Sequence, residues 1–211
     1  MTIFLPTLLF GQVENITPDS KTAESFANLK DGVIKNEIAY FNIEGNFRTE
    51  ADSFLKTKLN EISFTNCTDS SITFLKGGLI VSIYSTKFDP NRSKLSYDSS
   101  TNKFLTHIDD KPFWGTDGNI PKEKIKSVRF INEKYQLILP DSAISGLYEP
   151  NFCHIDKVTR KIESPYCKVF RSLDKKRIYI YMLNSDGAGG YEVTWVIQDS
   201  KYYTRIVDYG F

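Results

Sequence analysis

Three strand-like runs close the chain and constrain its fold more than any other feature. Arg177 to Leu183, Tyr191 to Gln198 and Tyr202 to Tyr209 are rich in Tyr, Ile and Val, and they are joined by the glycine-rich stretch Asn184 to Gly190 and by Asp199-Ser200. Such runs, separated by turn residues, predict an antiparallel meander. In the middle run Tyr191, Val193, Trp195 and Ile197 fall on one face and Glu192, Thr194 and Gln198 on the other. That alternation is expected of a sheet lying over a core with its other face wet. Trp195 is the expected core anchor.

Upstream the pattern is mostly of the same kind. Glu61 to Asn66, Ser71 to Lys76 and Leu79 to Phe88 read as successive antiparallel strands, Phe104 to Ile108 as another, and Lys126 to Asn132 with Lys134 to Leu139 as a hairpin. Ile38 to Ile43 reads as a buried strand, and residues 20 to 30 as a short helix stopped by Asp31-Gly32. The clearest helix runs from about 46 to 60. With Asn46 as cap, Phe47, Ala51, Phe54, Leu55 and Leu59 line one face. The expected fold class is therefore α+β, dominated by antiparallel sheet, with that amphipathic helix packed on a sheet. A single domain from about residue 20 to 211 is expected, with a weak internal boundary at the polar stretch 89 to 103.

A chain of 211 residues is long enough for a core without metals or disulfides, and 15 Phe, 12 Tyr and 2 Trp concentrate the buried area. Charge is balanced, 27 basic against 26 acidic residues, so no nucleic-acid partner is implied. The local exception is residues 156 to 177. Lys157, Arg160, Lys161, Lys168, Arg171, Lys175, Lys176 and Arg177 there face only Asp156, Glu163 and Asp174. These read as solvated loop and strand ends, or as a docking surface for an acidic partner.

The amino terminus bears on compartment. Ile3, Phe4, Leu5, Leu8, Leu9 and Phe10 form an apolar run ending at Gly11, too short to span a membrane. Residues 1 to 11 resemble the later part of a secretory signal without its basic front, a truncated remnant that would put the protein in the periplasm or outside the cell. The other reading is a buried segment of a cytoplasmic fold. Cys67, Cys153 and Cys167 lack zinc-ligand spacing, and in an exported chain Cys153 and Cys167, flanking a charged loop, are the expected disulfide pair with Cys67 left as a buried thiol.

Signals for chemistry are sparse, and no cofactor is implied. The glycine-rich stretch before Tyr191 leads into a strand, so it is a turn and not a phosphate loop. Of two histidines, His107 shares a strand face with Asp109, and Asp110 follows in the turn, a triplet that suits a divalent metal or an oriented base, or is a surface histidine beside a polar turn. Phe113, Trp114 and Asp117 stand in a loop between Pro112 and Pro121, and Tyr148 and Phe152 stand in another. Aromatic side chains held on rigid loops are good anchors for a protein or glycan partner, and the other reading of both loops is that they fold back over the sheet with their rings buried. The sequence thus leads to a non-enzymatic, exported binding protein using Phe113, Trp114, Asp117, Tyr148 and Phe152. Its competitor is a hydrolase or metal-dependent enzyme built on His107, Asp109 and Asp110.

Overall fold

The computed structural model describes residues 24–52, 56–100, 103–159, 161–185 and 187–210. The expectations for residues 1 to 11, for Phe54 and Leu55, and for the start of a helix at residue 20 lie outside them. After a 3-10 turn at Phe26–Asn28 the chain forms α1 (Gly32–Ile38) and α2 (Ile43–Asp52). Then follow β1 (Asn60–Ile62), β2 (Phe64–Thr68), β3 (Ser71–Lys76), β4 (Leu79–Lys87), β5 (Leu95–Tyr97), β6 (Leu105–Ile108), β7 (Glu123–Ile131) and β8 (Gln136–Ile138). A short α3 (Asp141–Ile144) precedes β9 (His154–Ile155), β10 (Ile162–Glu163), β11 (Cys167–Arg171), β12 (Arg177–Asn184), β13 (Tyr191–Gln198) and β14 (Lys201–Tyr209).

The expected class, α+β with antiparallel sheet dominant, is the one observed. One sheet has the order β1-β11-β12-β13-β14 and a second β2-β3-β4-β7-β8, every pairing antiparallel. The carboxy-terminal meander is β12 to β14. Its second turn is tight because Asp199 and Ser200 both take positive φ, 49° and 63°, which gives a two-residue turn the twist of the strands it joins. The two sheets pack face to face over a core that includes Phe74, Val81, Phe130, Ile180, Val193 and Trp195. Trp195 is fully buried, and its indole N–H donates to the Ala143 carbonyl at 2.7 Å.

The other face of the first sheet is not wet. Phe170, Tyr179, Val196 and Ile206 on that face pack against Phe26, Ile34, Ile38, Ala39 and Leu59. Strand β13 is consequently covered on both sides, and Glu192 and Thr194 are wholly buried. The cover comes from a segment whose helical character the sequence reading misplaced. Asp31 starts α1, its carboxylate accepting from the Val33 and Ile34 amides at 2.9 and 3.1 Å, instead of ending an earlier helix. Ile38 to Ile43 is not a strand. It is the end of α1 and a turn in which Phe41 stacks on Phe170, ring centroids 4.5 Å apart.

Helix α2 begins earlier than the expected 46 to 60 and is capped by Asn42, not Asn46: the Asn42 Oδ1 accepts from the Gly45 amide at 2.7 Å. Gly45 is required here, since a Cβ would come within 2.8 Å of the Ala39 Cα. Phe47, expected to lead the apolar face, is 74% exposed, whereas Leu59 is buried. The first two amides of α2, Ile43 and Glu44, donate to the two Glu192 oxygens at 2.8 Å each, and the Tyr181 hydroxyl donates at 3.0 Å. Two further carboxylates join the layers. Asp208 on β14 accepts from the Phe26 amide at 3.0 Å, and Glu37 of α1 takes a bidentate Arg177 together with the Tyr179 hydroxyl.

The expected disulfide is corrected. Cys153 pairs with Cys67 on β2, across 86 residues with Cα atoms 6.1 Å apart, and not with Cys167. Cys167 points into the inter-sheet core at the start of β11, where its thiol donates to the Asn151 carbonyl at 3.0 Å and is pushed up to about 12 by burial. A bridge closing a loop of that length contributes about 4.5 kcal/mol in the chain-entropy account. Among the described residues no helix is long and apolar enough to cross a membrane.

Burial pushes Glu192 up to about 7 from 4.5 and Asp208 up to about 6 from 3.8. Both therefore keep a proton in the folded state that the unfolded chain has already released. Stability must fall as pH rises from near 4 to near 7 and then level off. This window lies above that of Asp156 and Asp174, which backbone and hydroxyl donors hold below the usual carboxylate range. Glu192→Gln, neutral throughout, should remove about half of the decline, on the order of 3 kcal/mol. Urea unfolding across this window measures it, and equal declines in both proteins would contradict the assignment.

Candidate functional site

Of the two expected orientations of the aromatic loop, the structure shows the fold-back, with Phe113 and Trp114 buried. Trp114 joins a short ladder with the 146–148 segment: its amide donates to the Gly146 carbonyl at 2.8 Å and its carbonyl accepts from the Tyr148 amide at 3.1 Å. The indole lies against Tyr209 and Tyr191, with centroids 4.8 and 6.0 Å away. Phe113 and Phe88 meet Tyr148 edge-to-face, at 5.7 and 5.2 Å, in a small core shared with Leu105 and Ile108. Phe113, Trp114, Tyr148 and Phe152 are each under 8% exposed, so these four rings belong to the cores that the two loops pack on. The Tyr148 hydroxyl is pushed up to about 12, first by burial and then by the charge of Asp109.

These loops line a polar cleft of about 780 Å³. At Gly115, φ 119°, the chain leaves the ladder so close to Tyr148 that a Cβ would sit 2.4 Å from its carbonyl oxygen. Thr116 then closes a turn by donating to the Asn119 carbonyl at 2.6 Å, which sets Asp117 exposed on the rim. The glycine-rich stretch is a turn between β12 and β13, as expected, and its Gly189 presses directly on Thr116. On the facing wall Glu149, at φ 48°, accepts from the Lys122 and Glu123 amides, and Glu123 accepts from the Ser85 hydroxyl at 2.8 Å. The Asn151 side chain donates to the Ser185 carbonyl at 3.0 Å.

Glu149 and Glu123 are therefore occupied in holding the walls. Asp117, Asp69 from the β2–β3 turn, the Asn119 side chain and the Tyr166 hydroxyl, all lining the cleft, make no hydrogen bond or ion pair with the described residues. Of the residues singled out from sequence, only Asp117 borders this cleft. Asn151 belongs to the loop before Cys153 already read as a binding segment, whereas Asp69, Asn119 and Tyr166 were missed, being isolated polar residues in three separate segments. The one local signal was Glu149-Pro150, a turn dipeptide whose first residue proves to be left-handed.

The His107, Asp109 and Asp110 triplet is not brought together. His107 is exposed on β6 with its Nδ1 3.1 Å from the Thr106 hydroxyl. Asp109 accepts from the Lys94 amide at 2.8 Å and the Ser93 hydroxyl at 3.2 Å, while Asp110 pairs with the Lys94 ammonium at 2.8 Å. Both aspartates are turn residues, with φ 53° and 61°. Among the described residues no three His, Cys, Asp or Glu side chains are grouped to hold a metal ion. Comparison with protein-family models, with curated proteins and with solved structures gave no match.

Because Trp114 is packed between the ladder and two tyrosines, Trp114→Ala should destabilise the fold by about 3–5 kcal/mol. Urea unfolding at fixed pH reads this directly. A midpoint close to the parent's would show that the ring is not part of the core.

Proposed function

We propose that the protein is an exported, non-enzymatic binding protein whose polar cleft takes a glycan. The observation that carries the reading is the set of groups around one cleft that have no partner among the described residues: two carboxylates, an amide and a tyrosine hydroxyl, between walls held by their own hydrogen bonds. Sugar hydroxyls both donate and accept, and such a mixed set meets them without a net charge on the ligand. The Tyr166 ring, half-buried at the edge, offers an apolar face beside them. Phe113, Trp114, Tyr148 and Phe152 serve by stiffening the loops, which lowers the cost of ordering them on binding.

Export is supported by the Cys67–Cys153 bridge, since such bonds persist in oxidising compartments. The apolar run at residues 1 to 11 is consistent with it. The enzyme reading has less beneath it, because Asp109 and Asp110 are occupied at a turn and His107 is turned to solvent.

A glycan array followed by titration of the best ligand tests the proposal. Asp117→Ala and Asn119→Ala should each weaken binding by about tenfold or more while leaving the unfolding midpoint within a degree or two, as expected for exposed rim residues. Failure to capture any glycan, or undiminished capture by both variants, would contradict it.

A further inference from the structure

Antiparallel strands place alternate turns at opposite ends of a sheet, so the β11–β12 and β13–β14 turns lie away from the glycan cleft. With the β3–β4 and β7–β8 turns they enclose a second cleft, of about 560 Å³. Its lining includes the buried apolar side chains Phe130, Ile178 and Ile197 and the exposed ring of Tyr135. It also collects four cations, Lys134, Arg171, Lys175 and Lys176, against two carboxylates, Glu133 and Asp199. None of the four cations is in an ion pair with the described residues. Arg171 carries the decisive feature: its Nε is shut off from solvent and has no hydrogen-bond partner among those residues.

The Arg171 guanidinium lines the cleft with no carboxylate paired to it among the described residues, and a positive charge so partly desolvated favours an oxyanion in the cleft as its counter-ion. The site is also held in shape without a ligand. Ser172 and Asp174 fix the β11–β12 turn, the Lys175 amide donating to the Ser172 carbonyl and the Lys176 amide to Asp174, both at 3.0 Å. The Lys176 carbonyl accepts from the Asp199 amide at 2.9 Å, tying the two turns together.

We propose that this cleft binds a small organic anion, an apolar or aromatic body bearing one phosphate or carboxylate group. The oxyanion meets Arg171 and the turn lysines, and the body lies on the apolar lining. Glu133 and Asp199 keep the net field modest, which favours a singly substituted anion over a polyanion. The basic bias of residues 156 to 177 thereby separates into parts. Arg177 is spent on Glu37 and Asp174, Lys157 and Lys161 lie in the β9–β10 turn, and Arg171, Lys175 and Lys176 form the site. The proposal is independent of the glycan reading, which uses other residues.

Calorimetric titration of the full chain with phenyl phosphate, benzoate and inorganic phosphate tests it. Saturable one-to-one binding of phenyl phosphate or benzoate is expected, and which of the two binds more tightly identifies the acid group. Inorganic phosphate should bind at least about tenfold more weakly for lack of an apolar body. Arg171→Met should weaken the better ligand about tenfold or more. If that variant does not fold, Lys175→Gln with Lys176→Gln, both on an exposed turn, carries the test with a loss of several-fold. No saturable binding of either organic anion, equal binding of inorganic phosphate, or unchanged affinity in the variants that fold would overturn the proposal.

Discussion

Strand β13 has no wet face, and most of the architecture is arranged around that condition. One side of it joins the inter-sheet core through Val193 and Trp195. The other carries a glutamate at full burial, which a sheet can tolerate only if its oxygens are bonded. The amino end of α2 meets that need. A helix start has amide donors with no partner of their own, and Glu192 has acceptors with no water, so each satisfies the other. Glu37 with Arg177 and Asp208 with the Phe26 amide repeat the arrangement on either side, and the aliphatic cover of Ile34 and Ile38 fills the space between. The helical layer is thus docked by polar pairs and sealed by apolar packing.

This arrangement frees the ends of the sandwich for function. With both faces of the first sheet covered, the turns at its two ends are where side chains with different chemistry converge. Among the described residues, one end gathers carboxylates without partners, an amide and a phenol around a loop stiffened by Trp114, and the other gathers cations without ion pairs over an apolar lining. The Cys67–Cys153 bridge ties the edge of the second sheet to the chain just beyond Asn151, which reinforces the first end.

The strands were legible because side-chain alternation and turn residues are local. The meander and the β7–β8 hairpin lie within a residue or a few of where the pattern puts them. The layer over Glu192 was not, since nothing near residue 192 signals that Phe26, α1, the start of α2 and Leu59 cover that face. Asp31-Gly32 was ambiguous in kind: Asp before Gly ends a run of structure or caps a new helix, and the amides of Val33 and Ile34 decide for the cap. Short spacing favoured Cys153 with Cys167, but strand direction sends Cys167 into the core. Aromatic side chains between prolines marked the right loop and left its orientation open between an exposed anchor and a fold-back over the sheet; burial beside Tyr191 and Tyr209 decides for the fold-back, because a large ring gains more there than a short loop gains by exposing it. Both clefts draw single residues from several turns, a convergence that no local pattern encodes.

Native-state hydrogen exchange at the amides of Ile43 and Glu44 tests the docking of the helical layer most directly. First-turn amides of a helix ordinarily lack partners and exchange quickly. Bonded to a buried carboxylate, these two should be protected to a degree approaching the central amides of β13, with the Phe26 amide following the same pattern. Exchange of Ile43 and Glu44 at the rate of open chain, alongside a protected β13, would show that Glu192 does not hold the helix and would contradict the account.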